Sequence, residues 1–580
     1  MRAAVWTITR QADVFPLRVA DPTRPIEMKL MHSKRHSLDW YTRLARIVAV
    51  ACLLFFLGHC IWVIAGPEHR VMDWLYDDAF YYLIVASHFS RSHLSSFDGL
   101  TVTTGYHPLW MWLCSAIYGL RNQLDLNYVR LCMVLSVAIS GSLLGSAVIS
   151  KVRSASNGWL WTLALAATSY SALNNGLTVM EWPLVVGFWA LLHLLILSSA
   201  DADFAHRNAK WATISLPVAF LLGTLGSLSR TDFGLIPAAY LVAALFARRV
   251  FATGRSATLS ASALVGSAGG VAITLLYNHA MTGEWLQKSA QIKQLLASVS
   301  SPFNPLPAVW QFGRVLLYLP PLDTATAAHV RMLSMGPVLA IALGIAAGYI
   351  VYTFRSRFVA ATVASPPDMI STIAAVLGLA GYALFYSFNS QATYGWYTAT
   401  VTGFILVLCA HFLGQLPRRV CATLVILVVM LNLTLLLIGG PNARNQYQEV
   451  VIGKQMRRDH PNAIMGGGDV GKPSFFNNGT MINTDGLMNN EAFPYLANGR
   501  YHCYILARRI EFLSDIGSIP ILLTDGIRAR NHQSAVPWGT YFPPIPVLMP
   551  DGSAESYNRT DFQAILASGE CSDPEINPVP

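Results

Sequence analysis

Between residues 47 and 440 the chain is a series of long apolar runs separated by short polar connections. The runs lie at about 47–66, 128–150, 157–173, 182–199, 211–228, 233–247, 258–277, 334–353, 369–388, 398–414 and 420–438. Each is near the length of about 20 residues that an α-helix needs to cross a bilayer core. They predict about eleven transmembrane helices. A further apolar run at 108–120 is too short to span and predicts a juxtamembrane or half-buried helix. Beyond residue 440 the long runs stop, and short apolar stretches alternate with Gly, Asn and charged residues. That pattern predicts a water-exposed α/β domain. The fold class is therefore mainly α, a polytopic membrane protein with a C-terminal α/β domain.

Composition agrees with this pattern. Of 580 residues, 53% are hydrophobic and only 12% are charged, against about 25% charged in an ordinary soluble protein. A soluble multidomain enzyme and a disordered chain are both excluded. The 31 acidic residues are unevenly placed: four in 1–46, thirteen in 47–440 and fourteen in 441–580. Three parts follow: an N-terminal basic tail (1–46), a membrane domain (47–440) and a soluble domain (441–580). The tail carries Arg2, Arg10, Arg18, Arg24, Lys29, Lys34, Arg35, Arg43 and Arg46 and has no apolar core, so it is not a signal peptide. Met28 and Met31 are alternative starts. With the tail in the cytoplasm, the loops bearing Arg207/Lys210, Arg248/Arg249/Arg255, Arg355/Arg357 and Arg418/Arg419 all fall inside, as the positive-inside rule requires. The net charge of +9 is then a topology signal, and no nucleic-acid partner is expected. The same topology puts 441–580 outside, where Cys503 and Cys571 can form a disulfide.

Scarce charges inside an apolar chain mark function. On the predicted outer face, loop 67–107 carries Trp74-Leu75-Tyr76-Asp77-Asp78-Ala79-Phe80-Tyr81-Tyr82 and then Thr104-Gly105-Tyr106-His107-Pro108. The acidic pair also suits the first turn of a helix, where the dipole favours negative charge, and His107-Pro108 also suits a helix start. Glu181 is the only carboxylate between Asp125 and Asp201. Arg230 and Asp232 stand at the next outer turn and can simply pair. Lys288 and Lys293 follow in a long outer loop. Acids, cations and aromatics over a membrane cavity suit an enzyme acting on an amphipathic, phosphate-bearing substrate.

These segments, in this order, resemble the GT-C superfamily of polyprenyl-phosphate-sugar-dependent glycosyltransferases, and within it the mycobacterial-type arabinofuranosyltransferases and related uncharacterised bacterial enzymes. Asp77 to Leu83 is similar to the family's acidic-pair motif. Leu177 to Leu184 resembles a Gly-Leu-Glu or Gly-Met-Glu segment, with Val179 in place of the glycine and Glu181 retained. Leu228 to Asp232 resembles Arg-Pro-Glu or Arg-Pro-Asp, with Thr231 in place of the proline. Gly283 to Lys293 resembles a segment with Pro-Ser before a lysine, where Gln287 and Lys288 stand instead. Gly468-Asp469-Val470-Gly471 and Ile482 to Asn490 resemble segments of the uncharacterised relatives. Gly466, Gly468 and Gly471 also satisfy GxGxxG, which is weak alone and predicts a strand and turn.

The resemblance implies inverting transfer of a sugar, arabinofuranose or another pentose or hexose, from a polyprenyl-phosphate donor at the outer face of a bacterial inner membrane. The acceptor would be a hydroxyl on a cell-envelope glycan, a glycolipid or a protein. Asp77 is then expected as the general base and Asp78 as an acceptor-orienting group or ligand of a divalent cation, Mg²⁺ or Mn²⁺. Tyr81, His107, Glu181 and Asp232 are expected in the donor or acceptor pocket, and Arg230, Lys288 and Lys293 at the donor phosphate. The alternatives are a lipid-linked saccharide flippase or other transporter, and a glycan-binding membrane receptor.

Overall fold

The computed structural model describes residues 25–149, 158–169, 171–200, 209–251, 253–299, 365–389, 399–439, 446–550 and 552–571. The chain forms two compact units, Met1–Ile47 and Val48–Pro580.

Helices α1 (Pro25–Ile64), α2 (Glu68–Asp73), α3 (Asp77–Ser92), α4 (Pro108–Arg121), α5 (Leu126–Ile149), α6 (Gly158–Thr168) and α7 (Trp182–Ser199) come first. They are followed by α8 (Ala209–Ser229), α9 (Leu235–Ala247), α10 (Gly254–Thr282), α11 (Lys288–Val299), α12 (Pro366–Asn389), α13 (Ala399–Gln415) and α14 (Arg418–Gly439). Five helical stretches are long and apolar enough to cross a membrane: Trp40–Ile64, Trp182–Ser199, Gly254–Thr282, Pro366–Tyr386 and Arg418–Leu437. Shorter apolar helices occupy Leu126–Gly141, Gly158–Thr168, Thr213–Ser229, Thr231–Ala247 and Val401–Gln415. Ten of the eleven expected spans thus coincide with an apolar helix; the one at 334–353 lies outside the described residues. The 14 residues of α4 rise only about 21 Å at 1.5 Å each, short of the bilayer core, and α4 packs beside α3.

Helices α8 and α10 pack backbone to backbone. A Cβ on Gly223 would lie 1.9 Å from the Ala263 carbonyl oxygen, and one on Gly266 would lie 2.0 Å from that of Phe220. Small residues permit such close approach where no hydrophobic drive exists between helices. The pairing fixes the end of α8, where Arg230 turns to extended backbone before the 3₁₀ turn Thr231–Gly234.

The C-terminal segment begins with α15 (Gln446–Asp459) and β1 (Met465–Gly467), followed by the short helix α16 (Gly471–Phe476) and β2 (Ile482–Asn483). Strands β3 (Phe512–Leu513), β4 (Pro544–Leu548) and β5 (Ala554–Arg559) complete a mixed sheet in the order β2-β1-β3-β5-β4. Strand β1 runs parallel to β2 and β3, and β5 is antiparallel to β3 and β4. The glycine-rich stretch is therefore a parallel strand, turn and helix, as its pattern predicts. Cys503 and Cys571 are joined by a disulfide, with Cα atoms 5.2 Å apart.

Candidate active site

The acidic pair occupies the first turn of α3, where the helix dipole favours carboxylates. Successive residues on a helix point about 100° apart, and the two acids serve different neighbours. Asp77 is buried against the C-terminal segment. Its Oδ2 accepts the Gly471 N–H at 2.8 Å and its Oδ1 accepts the Lys472 N–H at 2.7 Å. It thereby caps α16, whose own N-cap residue, Val470, offers no side-chain bond. A Cβ on Gly471 would stand 2.4 Å from the Asp77 carbonyl oxygen and 2.9 Å from both carboxylate oxygens, so only glycine fits this contact. Burial raises the Asp77 pKa, opposed by the two N–H bonds and by Lys472.

Asp78 instead lines a cavity of about 470 Å³, measured with its open mouth. Its carboxyl is pushed up to about 7, first by burial; Lys293 pulls the value down, while Asp77, Asp469 and Glu181 push it further up. The cavity is also lined by Lys293, Glu181, Arg230 and His107. These residues come from α11, the start of α7, the end of α8 and the start of α4. Tyr81, Tyr82 and Ser289 add hydroxyls.

Glu181 is the hub of the deep wall. Its Oε1 accepts from Arg230 Nη1 at 2.9 Å and its Oε2 from the Tyr82 hydroxyl at 3.0 Å. The segment leading to it passes through Val179 in the left-handed region (φ 56°), a costly conformation for a β-branched residue. The Val179 carbonyl accepts the Trp110 indole N–H at 2.9 Å. The position where the resemblance has glycine is thus one that glycine suits. Arg230 also donates to Asp232 through Nε at 3.1 Å and Nη2 at 3.2 Å, and to the Tyr386 hydroxyl at 3.1 Å. Asp232 is itself bonded by Tyr386 and, at its carbonyl, by Tyr382. Asp232 therefore orients Arg230 and does not line the cavity. His107 sits with Nε2 4.0 Å from Glu181 Oε1. Burial pushes its pKa down to about 4, so the ring is neutral at pH 7, and its buried Nδ1 has no hydrogen-bond partner among the described residues.

The two lysines separate. Lys293 lines the cavity. Lys288 turns away, donating to Glu284 Oε2 at 2.5 Å and Gln291 Oε1 at 3.2 Å and lying 4.3 Å from the Phe493 ring centre. Of the expected pocket residues, then, Asp78, Tyr81, His107, Glu181, Arg230 and Lys293 converge, whereas Asp77, Asp232 and Lys288 do not line the cavity.

A divalent cation here would rest on Asp78, since Mg²⁺ is usually held by one or two carboxylates with substrate phosphate and water. Among the described residues the one group of three His, Cys or carboxylate ligand atoms near enough to share an ion is His502, Cys503 and Cys571, and both cysteines are in the disulfide. Around Asp78 no group of three such ligand atoms forms among the described residues, and Glu181 is engaged by Arg230 and Tyr82.

The C-terminal segment supplies the wall here called the roof: Leu487 and Met488 line the cavity. Nothing in their spacing marks them as site residues. The resemblance of Ile482 to Asn490 to segments of other bacterial proteins is the one sequence signal that covers them.

No known family profile matches this chain, and no curated protein does. Among solved structures it is similar to ArnT from Cupriavidus metallidurans bound to undecaprenyl phosphate, at 13% identity and TM-score 0.45, over 74% of this chain and 85% of that one. It is also similar to the archaeal oligosaccharyltransferase AglB from Archaeoglobus fulgidus in complex with an inhibitory peptide and a dolichol-phosphate. That likeness has 13% identity and TM-score 0.45, over 88% of this chain and 74% of that one.

Proposed function

We propose that this protein is an inverting membrane glycosyltransferase that moves a sugar from a polyprenyl-phosphate donor to an acceptor hydroxyl on the extracytoplasmic face. The observation that carries this reading is Asp78: a carboxylate with a pKa of about 7 in a cavity that also holds Lys293 and Arg230. A base with a pKa near the working pH suits proton abstraction. Cations beside it suit a departing phosphate.

In the proposed step the acceptor oxygen attacks the anomeric carbon as Asp78 takes its proton. The bond from that carbon to the phosphate oxygen breaks, and the electron pair leaves with the phosphate. The products are the inverted glycoside, the protonated carboxyl of Asp78 and a polyprenyl phosphate monoester. Lys293 and Arg230 balance the charge that develops on the phosphate. Glu181 and Asp232 aim the Arg230 guanidinium, and neutral His107 hydrogen-bonds a sugar or acceptor hydroxyl. The base role expected for Asp77 passes to Asp78, because both Asp77 oxygens are held by backbone N–H groups.

The sugar is a pentose such as arabinofuranose or a hexose, and the acceptor a cell-envelope glycan. The placement of basic loops and the Cys503–Cys571 disulfide support an inner-membrane enzyme with its C-terminal segment outside. The test is product analysis. Purified protein given a polyprenyl-phosphate-linked sugar and envelope glycan should release free polyprenyl phosphate, and Asp78→Asn should abolish that release. Transport of labelled donor with its sugar–phosphate bond intact would sink the reading.

A further inference from the structure

The roof of the cavity is built by a part of the chain some four hundred residues away from Asp78. The turn Asp485–Asn489 is held on three sides. Asp485 Oδ1 accepts the Leu487 N–H at 2.8 Å. Asn483 Oδ1 accepts the Met488 N–H at 3.1 Å. Asn489 Nδ2 donates to the Asn483 carbonyl at 2.8 Å. Gly486 takes φ +80° to close the turn, a backbone conformation natural to glycine.

Asn483 also ties this turn to the acidic helix. Its Nδ2 donates to the Gly468 carbonyl at 3.1 Å and reaches the Tyr81 hydroxyl at 3.4 Å. Tyr81 in turn donates to the Gly468 carbonyl at 3.2 Å. The roof rests directly on the first loop: a Cβ on Gly105 would stand 1.9 Å from the Leu487 carbonyl oxygen and 2.8 Å from Met488 Sδ. Its two cavity-lining residues are apolar, in a cavity otherwise lined by Asp78, Glu181, Arg230 and Lys293.

We propose that the Leu487–Met488 turn is the specificity wall of the transfer site, its bulk selecting the size of the donor sugar. This rests on the transfer reading above. An apolar side chain offers no partner to a sugar hydroxyl pressed against it, so substituents are admitted by volume and rejected by unpaired polar burial. Met488 is the residue whose removal opens headroom without touching a charged group. Asn483 is a positioning residue that sets the turn's register relative to Asp78 through Tyr81.

The experiment uses full-length protein in membrane vesicles with two donors, a polyprenyl-phosphate-linked pentose and the corresponding hexose, following free polyprenyl phosphate by mass spectrometry. Met488→Ala is expected to raise the hexose-to-pentose ratio of kcat/KM at least tenfold, the scale of a few methylenes in a pocket. Leu487→Ala, which shortens the other cavity-lining residue of the turn, is expected to move the ratio in the same direction and serves if Met488→Ala fails to fold. If both variants turn over donor with a ratio within twofold of the wild type, the roof is not the selector, while the transfer reading stands. If the wild type releases no polyprenyl phosphate from either donor, the transfer reading falls and the proposed wall falls with it.

Discussion

The carboxylate of Asp77 receives the backbone N–H of Lys472 at 2.7 Å, nearly four hundred residues along the chain. The acidic pair is thus divided. One acid docks the C-terminal segment onto α3, and its neighbour faces the cavity.

The division predicts different failures for the two conservative substitutions. Asp78→Asn should cut transfer by about 10²–10⁴-fold with an unfolding temperature close to the wild type at pH 4. Asp77→Asn presents an amide NH₂ to one of two N–H donors. It should lower stability by about 1.5–3 kcal/mol, the scale of a charged hydrogen bond, before any loss of chemistry. Thermal unfolding in detergent and turnover, measured on both variants, separate the roles. Normal turnover in Asp78→Asn would remove it as the base.

The seat of Asp77 requires glycine. Gly471→Ala places a methyl 2.4 Å from the Asp77 carbonyl oxygen, backbone that cannot rotate away. A loss of about 1–3 kcal/mol is expected, the usual cost of overpacking. An unchanged unfolding midpoint would contradict the contact.

The pKa of about 7 at Asp78 sets a pH dependence. The base works ionised, so kcat/KM should rise with pH and level off above about 7. Lys293→Met removes the cation that pulls this value down, and should shift the acid limb to higher pH. Stability moves the opposite way from activity. A carboxyl whose folded pKa is raised binds more protons when folded, so its contribution is present at low pH and lost as pH rises through about 7. Asp78→Asn should therefore gain stability relative to the wild type above pH 7 and not at pH 4. Parallel pH–rate and pH–unfolding profiles check both signs.

The Glu181–Arg230 pair is buried, with side chains 2% and 7% exposed. Removing Glu181 leaves the guanidinium with Asp232 and Tyr386 but takes away one buried charged hydrogen bond, at a cost of about 1.5–3 kcal/mol. Glu181→Ala should be the more damaging change, because Glu181→Gln still accepts a hydrogen bond from Arg230 or Tyr82. Yield and unfolding temperature of the two variants in one detergent give the order.

Cys503→Ser should lower stability by about 2–4 kcal/mol, the usual worth of a disulfide. Peptide mapping without reductant should recover Cys503 and Cys571 in one linked species.

The membrane helices were legible from the sequence because their driving force is local. A run of apolar residues must leave water whatever lies elsewhere in the chain, and ten of the eleven expected runs coincide with apolar helices. The strand and turn at Gly466–Gly471 were legible for a similar reason, since glycine spacing constrains the nearby backbone. Charge scarcity also singled out Asp78, Glu181, Arg230 and Lys293, which the fold brings into one cavity. What local pattern could not decide was direction. Asp77 and Asp78 are chemically identical neighbours, and only the docking of Gly471 and Lys472 makes one a cap and leaves the other open. Lys288 and Lys293 are likewise equal candidates until Glu284, Gln291 and Phe493 turn the first away. The roof was the least visible part. Leu487 and Met488 carry no charge, and their place in the cavity wall arises from contacts between segments some four hundred residues apart, a separation that leaves no periodicity to detect.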